Sequence, residues 1–244
     1  MSLLFGIQTL SLAKTQVPKG TDIVAVFALQ SKQPFRSRKD RISFLDTVWF
    51  YFSDNSFVQY AFLGNEPVLF SKGTYRFGNG GGFISAEAGA RRGDLIIKRN
   101  AKYVDKKGLQ KYASERTYDL DNIGFRQIFC RENRGKKIVA VFAGANKQPY
   151  GDRQLLDTYW IFFDDMTFEQ YACPGSDPVL FSEGTYSFSH GADFRYDKDE
   201  TDFGQITISR TKKLQPGLKY ADYSSSHTYN LNTLGFSLLV LDED

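Results

Sequence analysis

Cysteine, histidine, methionine and tryptophan occur only twice each in this chain of 244 residues, and that scarcity removes several function classes at the outset. Cys130 and Cys173 stand at places that do not correspond in the internal repeat described below, so they build no disulfide framework, and a reducing compartment is the simpler setting. His190 and His227 have no Ser or Cys nucleophile motif beside them, and Ser224-Ser225-Ser226-His227 reads as a polar loop, so histidine-based acid–base catalysis is not expected. No run approaches the roughly 18 apolar residues of a membrane span, and Met1 to Leu12 carries no cation ahead of Lys14. Both features point to a soluble, cytoplasmic protein without an export signal.

Phosphate and metal chemistry lack their patterns as well. Gly78 to Gly93 is glycine-rich and ends in Arg91-Arg92, yet Asp94-Leu95-Ile96 continues as strand where a phosphate cradle needs Lys-Ser or Lys-Thr and a helix. Asp193, Asp197, Asp199, Glu200 and Asp202 offer oxygens for Ca²⁺ by number. Counted from Asp197, however, the sixth position is Asp202 and the twelfth is Ile208, where an EF-hand needs Gly and Glu. A solvated acidic loop is expected there. The chain therefore reads as non-enzymatic, with no catalytic residues, no metal and no cofactor.

What the chain has in abundance is large rings. Aromatics make up 16% of it, with 22 Phe and 14 Tyr, a mixture that packs well across pleated sheets. Twenty-one glycines against 7 prolines fit many turns rather than a disordered chain.

A long internal repeat organises these residues. Val24-Ala25-Val26-Phe27-Ala28 recurs as Val139-Ala140-Val141-Phe142-Ala143, and Lys32-Gln33-Pro34-Phe35 recurs as Lys147-Gln148-Pro149-Tyr150, both at an offset of 115. From Leu45-Asp46-Thr47 and Leu156-Asp157-Thr158 onward the offset is 111, so copy two lacks four residues of the basic loop around Arg36, Arg38, Lys39 and Arg41. Trp49 then pairs with Trp160, Gln59-Tyr60-Ala61 with Gln170-Tyr171-Ala172, Gly73-Thr74-Tyr75 with Gly184-Thr185-Tyr186, and Arg99 with Arg210. The expected organisation is an N-terminal segment (1–20), repeat one (21–130), a charged linker (131–137) and repeat two (138–244). A period this long indicates domains or half-domains rather than a solenoid.

Each copy reads as about six strands. In copy one they fall near 22–29, 46–53, 56–62, 67–77, 94–99 and 123–130, with a further candidate at 115–119. The turns Ser53-Asp54-Asn55-Ser56 and Asp164-Asp165-Met166-Thr167 predict antiparallel hairpins. Around Trp49, alternation places Thr47 and Tyr51 on one face and Val48, Phe50 and Phe52 on the other. Both faces are apolar, so this strand is covered on both sides. Further on, Leu69, Tyr75 and Phe77 fall on one face and Lys72, Thr74 and Arg76 on the other. The fold class that follows is all-β, a tandem duplication of an antiparallel barrel or sandwich unit of about 111 residues, the outer face of the Trp strand packed on its twin. A single barrel of about twelve strands is the alternative.

Trp49-Phe50-Tyr51-Phe52, the Asp-containing turn, Phe57, Gly73-Thr74-Tyr75 and Leu95-Ile96-Ile97, all echoed in copy two, resemble strand motifs of the lipocalin-like, calycin-type barrels. The resemblance implies a Trp at one end of the barrel with an Arg from a late strand lying across it. Arg99 and Arg210 have the parity to meet Trp49 and Trp160 in a cation–π contact. Thr47 and Thr158 stand where that family has a glycine, two residues before the Trp.

Two functional readings follow. In the first, Trp49 with Arg99 and Trp160 with Arg210 close a barrel mouth lined by Tyr60, Tyr75, Tyr171 and Tyr186, which holds a small apolar or aromatic ligand. In the second, the chain is a protein-interaction or self-assembly module. Residues 1–130 carry 19 Lys plus Arg against 11 Asp plus Glu, a balance of +8, whereas residues 131–244 carry 12 against 17, a balance of −5. Opposite surfaces on one chain associate head to tail. The basic clusters at Arg36–Arg41, Lys98–Lys111 and Arg131–Lys137 read as solvated loops rather than a nucleic-acid face, since the whole-chain charge is only +3.

Overall fold

A computed structural model of the chain describes residues 15–30, 46–63, 66–85, 88, 90–102, 114–122, 126–145, 149–150, 153–154, 157–172, 178–189, 193–194, 204–213, 226–231 and 237–242. Copy one supplies β2 (Ile23–Gln30), β3 (Asp46–Phe52), β4 (Ser56–Leu63), β5 (Glu66–Gly78), β6 (Asp94–Lys102), β7 (Glu115–Asp119) and β8 (Arg126–Cys130). Copy two supplies β9 (Ile138–Ala145), β12 (Asp157–Phe163), β13 (Thr167–Ala172), β14 (Val179–Ser189), β15 (Gln205–Lys213), β16 (Ser226–Asn230) and β17 (Ser237–Leu241). The helical turn α1 (Arg131–Arg134) joins the copies, the short strand β1 (Thr15–Gln16) precedes them, and β10 (Pro149–Tyr150) pairs with β11 (Arg153–Gln154) in a separate ribbon.

Each copy is one sheet, and the two sheets have the same strand order. Copy one runs β7-β6-β5-β4-β3-β2-β8 and copy two β16-β15-β14-β13-β12-β9-β17, with β1 added parallel to β17. The strand suspected at 115–119 is thus β7, the edge of its sheet, and copy two has its counterpart in β16. Apart from β1 on β17, no described strand of one copy pairs with the other, so the architecture is two packed sheets and not one barrel of about twelve strands. Copy one's sheet curls until its ends approach. Arg92, just before β6, reaches the Leu120 carbonyl and the Asp121 carboxylate beyond β7, and its guanidinium lies 3.2 Å from the Gln127 side chain in β8.

Strand alternation sorts the side chains into three cores. Val26, Ala28, Val48, Phe50 and Phe52 turn toward the twin and meet Val141, Ala143, Tyr159, Ile161 and Phe163 in a shared cluster between the sheets. Ala25, Phe27, Trp49, Tyr51, Phe57 and Tyr75 turn the other way and fill the concave side of copy one. Phe142, Trp160, Phe162, Phe168 and Tyr186 do the same in copy two. Packing of the Trp strand's outer face on its twin is therefore present.

One assignment of faces fails, for an identifiable reason. Leu69 packs on the cluster between the sheets, not with Tyr75 and Phe77. The β4–β5 register runs Gln59↔Ser71 and then Tyr60↔Leu69, so Phe70 is an extra residue on β5 and the alternation reverses across it. Copy two repeats the shift between Gln170↔Ser182 and Tyr171↔Leu180. A second shift, at Gly73 and Gly184, brings backbones so close that a Cβ would lie 1.9 Å from the Lys98 carbonyl oxygen and 2.0 Å from that of Ser209. Only glycine fits there.

Candidate functional site

The two Trp–Arg pairs form as their parity requires. The Arg99 guanidinium carbon stands 5.6 Å from the Trp49 ring centre and that of Arg210 stands 5.5 Å from Trp160. Both arginines are buried. Each also reaches a tyrosine hydroxyl on the edge strand, Arg99 to Tyr118 at 3.4 Å and Arg210 to Tyr229 at 3.3 Å. Those tyrosines meet the Trp rings edge-on at 6.2 and 6.0 Å. Trp, Arg and Tyr thus come from the second, fifth and sixth of the seven sheet strands of each unit, and cation–π attraction of roughly 0.5–2 kcal/mol joins the Arg to the Trp across the concave face.

The four tyrosines expected beside them divide two and two. Tyr75 and Tyr186 share the concave face with the Trp residues, and their hydroxyls donate to the carbonyls of Phe52 at 2.9 Å and Phe163 at 2.8 Å. Burial pushes both phenols well above their ordinary pKa, with Asp54 and Asp165 respectively adding to it. Tyr60 and Tyr171 lie on the opposite face, in the cluster between the sheets. Across β3–β4 Trp49 sits opposite Gln59 and Val48 opposite Tyr60, so the tyrosine takes the parity of Val48 and cannot line a cavity with the Trp.

Phe83 and Phe194 complete the concave cores and were missed from sequence. Each is carried by the loop that follows the fourth sheet strand of its unit, β5 or β14. Phe83 packs 4.9–5.8 Å from the rings of Phe27, Tyr51, Tyr75 and Phe77, and Phe194 packs 4.8–5.6 Å from Phe142, Phe162, Tyr186 and Phe188. The signal was available: the surrounding loops diverge from Gly/Arg to Asp/Glu, yet the Phe recurs at the 111-residue offset. In copy two a cavity of about 10 Å³ remains between Trp160, Phe194, Ile208 and Leu231. That is room for about one water molecule.

The remaining candidates contribute little. His227 is exposed, and its ring centre lies 4.3 Å from that of Tyr229 at a tilt of 59°. Cys130 is buried, and burial raises its thiol pKa, which makes it a poor nucleophile. Among the described residues no group of three or more His, Cys, Asp and Glu could hold a metal ion, and no helix is long and apolar enough to cross a membrane. His190, Cys173, the basic loop at 36–41, Lys106, Lys107, Lys111 and the acidic loop beyond Phe194 lie outside the described residues.

No family model, curated protein or solved structure matches the chain.

Proposed function

We propose that the chain is a non-enzymatic interaction module that associates through the outer faces of its two sheets, and that it is not a container for a small molecule. The observation that carries this reading is the contrast between inside and outside. Both concave interiors hold the same aromatic packing around Trp49 and Trp160, and the space left beside Trp160, about 10 Å³, is far below the roughly 300 Å³ of a ligand pocket.

The outer faces, by contrast, have diverged in charge. On β5 and β6 of copy one, Lys72, Thr74, Arg76 and Lys98 are exposed. The equivalent positions of copy two are Glu183, Thr185, Ser187 and Ser209, while Asp164 and Asp193, exposed at its turns, stand where copy one has Ser53 and Gly82. A cationic face and an anionic one on the same chain favour head-to-tail contact and steer it. Native mass spectrometry at low salt and at high salt is the direct test, because surface charges are screened within about 3 Å at 1 M. Association at low salt that is weakened by high salt and by Lys72→Glu with Lys98→Glu supports the reading. A monomer at both salts, or a small molecule carried through purification, counts against it.

A further inference from the structure

The face between the sheets carries a second inference. It lies on the same side of each sheet as the charged positions, since Val58 of the shared cluster pairs with Lys72, but its members are buried and mostly apolar, so high salt separates the two kinds of contact. Every buried member of the shared cluster except Val17 and Val58 has its counterpart from the other copy in the same cluster. Ile23 answers to Ile138, Phe50 to Ile161, Phe52 to Phe163, Ile128 to Leu239 and Phe129 to Val240.

The polar contacts across the face are reciprocal too. Ile128 is the extra residue where β8 shifts register against β2, and Leu239 is the extra residue where β17 shifts against β9. Such a residue is left out of the ladder, and each of these two carbonyls is met by the other copy. The Tyr60 hydroxyl donates to the Leu239 carbonyl at 2.9 Å, and the Tyr171 hydroxyl lies 2.9 Å from the Ile128 carbonyl. A contact in which residue i of one unit meets j of the other, while j meets i, is the mark of a surface that binds its own kind about a two-fold axis.

We infer that this face is a docking surface for a second unit of the same kind, and that two copies of the full chain use it between them by exchanging repeat two across residues 131–137. Every contact in the cluster forms equally well within one chain or between two, so only the linker decides. That linker is a single helical turn with no buried residue, closed by Gly135 at φ 64°. Each end is held to the repeat it adjoins, Arg131 to Asp22 of repeat one and Lys137 to Asp242 of repeat two at 2.7 Å, so an exchange keeps both pairs, and Arg134 meets Glu169 of whichever repeat two is docked. The segment before repeat one already crosses in this way, since β1 precedes copy one in the chain but pairs with β17 of copy two.

Deleting Arg131–Lys136 from the full chain tests this. Cys130 and Ile138 would then be separated by two Cα steps, at most about 7.6 Å, which is short of the roughly 10 Å between packed sheets. The expected product has twice the chain mass, keeps its strand content and persists in 1 M salt, where association through the charged outer faces would dissociate. A folded monomer, or a chain that no longer folds where the unaltered one refolds, overturns the inference. A second measurement uses the unaltered chain. Isotopically heavy and light chains unfolded together and refolded at high concentration should give a salt-stable species of intermediate mass, formed from one of each. Monomer alone at every concentration overturns exchange even if the deletion variant dimerises.

Discussion

The two halves of this molecule agree inside and disagree outside. Trp49, Arg99, Tyr118, Tyr75 and Phe83 are matched by Trp160, Arg210, Tyr229, Tyr186 and Phe194, in nearly the same distances and ring angles. Close-packed interiors tolerate little volume change, which keeps such positions alike after duplication. Exposed strand positions carry no such constraint, so Arg76 and Lys98 of one copy face water where Ser187 and Ser209 stand in the other. The seam of copy one is tied by Arg91 and Arg92 to Asp119 and Asp121, at 2.6 and 3.2 Å for the closest pairs, whereas Asn230 and Asn232 replace those acids in copy two. Buried positions differ by single exchanges, such as Tyr51 for Phe162, Phe50 for Ile161 and Val58 for Glu169, while the change in charge falls on exposed positions, and a difference in task between the copies is to be sought there first.

The strongest way to break the equivalence of the interiors is at the close approach of backbones. Gly73→Ala and Gly184→Ala should each destabilise by about 3 kcal/mol or more, since the added carbon meets backbone and not a movable side chain. Chemical denaturation of both variants reads the comparison, and a tolerated change in one copy alone would show that the copies do not share this register.

Alkaline pH probes the buried phenols and should divide the copies. Burial raises the pKa of Tyr51, Tyr75, Tyr171 and Tyr186, and pushes that of Tyr60 up to about 12. A folded-state pKa above the unfolded one means that the native state binds more protons. Stability is therefore full below about pH 10 and falls as pH rises through the folded values, by about 1.4 kcal/mol per unit for each group. Copy two has Phe162 where copy one has Tyr51. Tyr51→Phe should accordingly make the fall between pH 10 and 12 shallower in denaturation curves, and an unchanged slope would refute the assignment.

The interface itself is less than symmetric, and two conservative variants measure by how much. Tyr60 donates to Leu239 and lies 2.5 Å from the Thr15 hydroxyl, whereas Tyr171 shares its one hydrogen between the Ile128 carbonyl and the Glu169 carboxylate at 2.7 Å. Hydrogen bonds to charged groups are worth more than neutral ones. Tyr171→Phe should cost about 2 kcal/mol and Tyr60→Phe about 1 kcal/mol. Equal losses would mean that Glu169, which stands where copy one has Val58, adds nothing to the contact.

The smallest effect lies at the hairpin tips. Asn55 has φ 65° and its counterpart Met166 has φ 62°. Asn tolerates the left-handed region through local hydrogen bonding, and Met does not. Met166→Asn should stabilise by about 0.5–1 kcal/mol in thermal denaturation, while Asn55→Met should destabilise by a similar amount.

Sequence alone determined the duplication, the all-β class, the hairpins and the meeting of Arg99 with Trp49 and Arg210 with Trp160, because those depend on period-two alternation over short, uninterrupted strands. It also determined that the Trp strand is covered on both faces, since Val48, Phe50 and Phe52 are apolar as well as Trp49 and Tyr51. Tertiary structure decided what alternation cannot carry across a bulge. The extra residue at Phe70 turned Leu69 to the face shared with Tyr60, and the extra residues at Ile128 and Leu239 created the carbonyls that Tyr171 and Tyr60 meet. It also decided that Phe83 and Phe194, which belong to loops and have no strand period, fold back to fill the concave cores. A one-residue shift in register reverses every later side chain, and whether a shift occurs depends on how close two backbones come, as at Gly73 and Gly184, which only the packed sheets determine.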